Sequence, residues 1–196
     1  MDHRFAVAAF VLCALLASCG GDHSGDRPVA AARTGRFEMT IVADEPSGPL
    51  TLRATGTFDV DRGAYSLVTD LGELVPGLGA RLAIIATPDV VFVDCPYLTR
   101  LLSASTRWIS VRGAGGELVR SWVIDPLQMV AAGEGGDGLV RGSTMRFADG
   151  SDEGSVLVSV KYFDVGAPVV IDPPAADQVT DETDAIKRLF GGTTGG

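Results

Sequence analysis

The chain has 196 residues, 46% of them hydrophobic, which suits one ordinary domain with a packed core and excludes a wholly disordered chain. Acidic residues outnumber basic ones, 25 to 16, and the net charge of −9 leaves no electrostatic footprint for nucleic acid. Histidine occurs only at His3 and His23, so the rest of the chain has no imidazole for a triad, a general base or a metal site.

The first element is an export signal. Met1-Asp2-His3-Arg4 precedes thirteen apolar residues, Phe5 to Ala17. That length falls within the roughly 7–15 of a signal h-region and below the roughly 18 of a membrane span. The run closes in Leu16-Ala17-Ser18-Cys19, an aliphatic residue and two small ones before a thiol. This is the pattern of a bacterial lipobox, in which Cys19 becomes the lipid anchor. The expected organisation is a signal peptide over 1–18, a flexible tether over 19–33, one domain over 34–190 and a Gly-rich tail over 191–196. Cleavage discards Cys13 and acylation uses Cys19, which leaves Cys95 without an intramolecular disulfide partner. Following Val91-Phe92-Val93-Asp94, Cys95 reads as a small buried hydrophobe.

The body reads as strands. Phe37, Met39 and Ile41 alternate with Arg36, Glu38 and Thr40. From Leu50 to Val60 a second alternation sets Leu50, Leu52, Ala54, Phe58 and Val60 against a Thr-rich and charged face. A period of two marks half-buried antiparallel strands. Asp61-Arg62-Gly63 predicts a hairpin turn into a strand over 64–70. Further strands are expected over 80–87, 89–94, 106–112, 117–123, 138–147, 155–164 and 167–172. The Gly-Gly pairs at 115–116 and 135–136 read as loops, and 149–154 as an acidic turn without the spacing of a calcium loop.

Three helices interrupt the strands. One runs through 94–102 with Pro96 near its start, and one follows the cap-like Asp125-Pro126. The third carries Ile186, Leu189 and Phe190 before Gly191-Gly192. A many-stranded antiparallel sheet with a few short helices is an α+β fold. Where helices cover such a sheet incompletely, an apolar cleft between the two layers is the natural ligand site.

The stretch Val160-Lys161-Tyr162-Phe163-Asp164-Val165-Gly166-Ala167-Pro168-Val169-Val170-Ile171-Asp172-Pro173-Pro174, continuing to Asp181, resembles the closing segment of the actinobacterial LolA-like envelope lipoproteins, the LppX/LprG group. Thr57-Phe58-Asp59-Val60 and the strand containing Trp108 match the same style. Between Asp125-Pro126 and Gly138 the chain is shorter than members of that group, which carry a longer helical and strand insert there. The resemblance implies a curved antiparallel sheet, an open half-barrel, with two or three short helices on its concave face around an apolar cavity. It also implies binding or transfer of an acylated lipid or lipoglycan at the extracytoplasmic face of the cell membrane, with an envelope export partner and no cofactor.

On this reading acyl chains bury against the inward strand faces beneath a helical lid, and the candidate lining residues are Met39, Ile41, Leu67, Ile84, Trp108 and Met129. The alternative is that these side chains simply fill the core of a surface-tethered interaction module, with Asp177, Asp181, Glu182 and Asp184 as its recognition patch or as a solvated helix N-terminus. Catalysis without histidine needs paired carboxylates or a Ser–Lys dyad, and nothing in the sequence pairs them across a cleft, so no catalytic residue is assigned.

Overall fold

A computed structural model describes residues 33–43, 49–71, 81–120, 125–127, 143–148 and 155–190. The expected signal, nearly all of the expected tether, the expected turn at 149–154, the Gly-Gly pair at 135–136 and residues 191–196 lie outside the described residues.

The alternating segments form strands because each can bury one side. In chain order they are β1 (Thr34–Ala43), β2 (Leu50–Asp59), β3 (Ala64–Asp70), β4 (Arg81–Ala86), β5 (Val90–Asp94), β6 (Trp108–Arg112), β7 (Ser143–Ala148), β8 (Ser155–Phe163) and β9 (Val179–Asp181). They make one curved, open sheet in the order β7-β8-β1-β2-β3-β4-β5-β6-β9. Every pairing is antiparallel except that of the three-residue β9 with β6. The β2–β3 hairpin closes as expected: Asp59 accepts a bond from the Arg62 amide at 3.0 Å, and Gly63 takes a left-handed φ of 58°.

Register aligns the apolar positions into rows. One row runs Tyr162, Phe37, Gly56, Leu67, Ile84, Val93, Ile109 across seven strands. A neighbouring row runs Gly35, Phe58, Tyr65, Ala86, Val91, Val111. Both rows fill one face, where they merge into a single buried cluster. Within the rows each glycine lies under an aromatic ring of the neighbouring strand, Gly56 beneath Phe37 and Gly35 beneath Phe58. A Cβ at Gly56 would collide with the Phe37 ring and with the Ser66 carbonyl oxygen, so no larger residue fits there.

Among the described residues three helices belong to this face, α1 (Pro96–Leu101), α2 (Gly113–Arg120) and α3 (Thr183–Phe190), together with a helical turn at Pro126-Leu127. α1 begins on Pro96, whose fixed φ suits a first turn, and sends Leu98 into the core. α2 packs on β5 and β6 and beside α3. It overturns two expectations, the loop at Gly115-Gly116 and, over the described residues 117–120, the strand expected at 117–123. Its glycines permit a close approach that their helix propensity alone would not favour. A Cβ on Gly115 would stand 2.8 Å from a Val111 methyl, and one on Gly116 3.1 Å from the Val111 carbonyl oxygen. The start of α3 is tied to β6 and β9: the Arg112 amide donates to Thr183 Oγ1 at 3.0 Å, and the Thr183 amide donates to Asp181 Oδ1 at 3.0 Å.

The strand expected over 167–172 does not form. Pro168, Pro173 and Pro174 lack the amide hydrogens that a ladder needs, and residues 168–175 run as irregular chain. This connection is pinned at its origin, where the Gly166 amide donates to the Thr34 carbonyl at 2.8 Å and Thr34 Oγ1 donates to the Ala167 carbonyl at 2.9 Å. It carries the chain from β8 past six strands to β9, and buries Ile171 to 1% exposure outside the helix-side cluster.

Candidate functional site: the helix-covered face of the sheet

The rows bring Met39, Leu67 and Ile84 onto one surface. Leu67 and Ile84 are direct cross-strand partners, and Met39 lies two positions along β1 from Phe37, which shares their row. All three are at most 2% exposed. Ile41 continues the same face, half-buried against the cluster and opposite both Leu52 and Val158. Trp108 does not join them. Ile109 occupies the helix-side row beside Val93, so alternation places Trp108 on the opposite face, where it stays partly exposed. Met129 and Cys19 lie outside the described residues.

The sequence reading put Phe37 and Phe58 on apolar strand faces but left the aromatic residues out of the candidate lining. Phe37 and Phe58 are fully buried, and the Phe58 ring meets Tyr162 edge-on at 5.5 Å. Tyr65 and Tyr162 add hydroxyls to an otherwise apolar surface. Alternation in β3 gives the signal that would have found Tyr65, which shares parity with Leu67, and in β8 Tyr162 shares parity with the buried Val158 and Val160. Tyr162 donates to the Pro126 carbonyl at 3.3 Å, and Asp125 Oδ1 accepts the Leu127 amide at 2.8 Å, the local cap that Asp125-Pro126 predicts. The Tyr65 hydroxyl is buried and finds no hydrogen-bond partner among the described residues. Burial, reinforced by the Asp125 charge, pushes both phenols above their ordinary range, so each stays protonated and neutral at physiological pH.

One end of this face is polar. The Arg120 guanidinium donates to the Thr87 carbonyl and lies 3.6 Å from Glu117. Together with Asp89, Glu117 and Arg120 border a cleft of about 230 Å³ between the β4–β5 turn and α2. That is below the roughly 300 Å³ at which pockets begin to enclose drug-sized ligands, so this cleft fits a small polar group and not an acyl chain. On the opposite face Arg107 holds the buried Asp94 carboxylate at 2.7 Å. Among the described residues no cluster of three or more His, Cys, Asp or Glu side chains is placed to hold a metal ion. No described helix is long and apolar enough to cross a membrane. Cys95 is a free, buried thiol.

No family model matches the chain, and no curated protein matches it. Among solved structures it is similar to an uncharacterized conserved protein from Thermus thermophilus, at 15% identity over 75% of this chain and 90% of that one, with a TM-score of 0.36.

Proposed function

We propose that this chain is a lipid-anchored carrier of the LolA-like, LppX/LprG type, held at the extracytoplasmic face of the cell membrane through acylated Cys19. It binds an acylated lipid or lipoglycan and passes it on to an envelope export partner without catalysis. The observation that carries this reading is the continuous apolar surface, one row of which crosses seven strands, with short helices packed on it at β5 and β6. The helices are weakly held. α1 buries only Leu98; α2 buries Val119 besides its two glycines; α3 buries only Ile186. With so few fully buried side chains, and Leu118 of α2 only half-buried against the core, the helical layer can lift as a unit. An acyl chain then packs against the apolar surface to which Met39, Leu67 and Ile84 belong, each methylene buried contributing about 0.8 kcal/mol.

A second reading is favoured by the near-complete burial of Met39, Leu67 and Ile84: a tethered interaction module whose core is filled. Native mass spectrometry of the protein purified from a host with a similar envelope separates the two. The carrier reading expects a reproducible adduct of lipid mass that is lost on denaturation. A bare protein mass from a cooperatively folded chain rejects it in favour of the interaction module.

A further inference from the structure

Tyr65 sits in an apolar row of the sheet between its cross-strand partners Phe58 of β2 and Ala86 of β4, and Leu67 follows it on the same side of β3. It is 0% exposed, and its buried hydroxyl has no hydrogen-bond partner among the described residues. The other phenol of this face, Tyr162, bonds the Pro126 carbonyl. A donor buried without an acceptor weakens the fold, and phenylalanine would fill the same place without that cost. A polar group that lowers stability on a candidate binding surface points to a ligand that completes it.

The surroundings of the hydroxyl select the chemistry of that ligand. Thr87, next after Ala86, takes a hydrogen bond from the Arg120 guanidinium on its carbonyl oxygen, which brings the last turn of α2 down beside Tyr65. Asp125, Arg120 and Glu117 all act on the phenol, two carboxylates against one guanidinium that Glu117 already approaches at 3.6 Å. That balance disfavours a phosphate or a carboxylate. Phe58, Leu67 and Ala86 have no polar side-chain atoms, so an amide N–H or a cluster of sugar hydroxyls placed among them would go unsatisfied. An ester carbonyl fits: it accepts, carries no donor, and arrives attached to an acyl chain.

We infer that Tyr65 is the polar anchor of the carrier site, its hydroxyl donating to the ester carbonyl of a neutral acyl ester whose chains run over Leu67, Ile84 and Met39. The inference rests on the carrier reading and narrows its ligand from any acylated lipid to one acylated through oxygen. Tyr65 meets the ligand once the helical layer lifts, and the hydrogen bond it then gains favours the loaded state. Burial keeps the phenol protonated, so it remains a donor at physiological pH.

The test offers the full chain an equimolar mixture of dipalmitoylglycerol and dihexadecylglycerol in detergent micelles, and native mass spectrometry resolves the two adducts by mass. The lipids match in chain length, and the ether lacks the carbonyls. The parent is expected to carry the ester over the ether by about fivefold, the scale of one hydrogen bond. Tyr65→Phe is expected to bring that ratio to one, losing ester adduct while the ether adduct stays at the parent's level. A parent without preference overturns the proposal. So does a Tyr65→Phe variant that keeps the preference, or one that loses both adducts in equal measure. In each of these cases the parent still binds lipid and the carrier reading stands. Adducts of neither lipid on the parent overturn the carrier reading, and the proposal with it.

Discussion

Tyr65 and Tyr162 occupy the same apolar face, yet their hydroxyls have opposite fates. Removing the Tyr162 hydroxyl strands the Pro126 carbonyl, so Tyr162→Phe is expected to lose about 1 kcal/mol of stability. Tyr65→Phe removes a buried donor that is unpaired among the described residues, and is expected to leave stability unchanged or to raise it by up to about 1 kcal/mol. Urea unfolding of the two variants beside the parent checks the contrast. At this scale the candidate surface was legible in β1, where alternation sets Phe37, Met39 and Ile41 on one side; in β4 the adjacent Ala83 and Ile84 are both buried, and the pairing of Ile84 with Leu67 is what shows their shared face. It was not legible in β6. There Ile109, Ser110 and Val111 are all at most 3% exposed, so the strand is buried on both faces and periodicity gives no inward side. Only the pairing of Ile109 with Val93 shows that Trp108 faces away.

Among the elements, the hairpin at Asp61-Arg62-Gly63 and the helices α1 and α3 were legible because local chemistry specifies them: a left-handed glycine, an N-terminal proline, a helical spacing of apolar residues. α2 was not. Leu118 and Val119 have strand-like neighbours, and the reason for Gly115 and Gly116 is a contact with β6 that local sequence does not contain. The β8–β9 connection was misread in the opposite sense, its apolar run outweighing the prolines that forbid pairing. The junction of β9 and α3 has a pH signature. Bonds from Thr183, with the Arg112 charge behind them, hold the Asp181 carboxyl below its usual value. The folded state thus favours the charged form, and this contribution is complete above the ordinary carboxylate range and is lost as pH falls through it. Asp181→Asn keeps an acceptor for the Thr183 amide, so it is expected to cost only about 0.5 kcal/mol at neutral pH, the scale of an exposed pair. It should also flatten the fall in stability between about pH 5 and pH 3, measured by denaturant unfolding at each pH.

The whole molecule is a sheet with a thin, helical cover, and the two layers are expected to respond differently to mutation. Ile186→Ala empties the one core position that α3 fills, with an expected cost of about 2–4 kcal/mol. If α3 behaves as a lid, part of that cost appears as local opening: the variant binds the dye ANS under conditions where the sheet remains folded by circular dichroism. A cover that is an inseparable part of the core gives no dye binding before global unfolding.

The strand order has a consequence for the time course of folding. β1 lies between β2, which follows it directly, and β8, so that Arg36 is paired with Phe163, more than half the chain away. One flank of the first strand can zip up as soon as β2 exists, but the other stays open until nearly the whole polypeptide is available. Closing so long a loop makes this pairing slow. While it waits, the unpaired edge of β1 presents Phe37, Met39 and Ile41 to any passing strand, which makes a chain that is interrupted before β8 prone to aggregate.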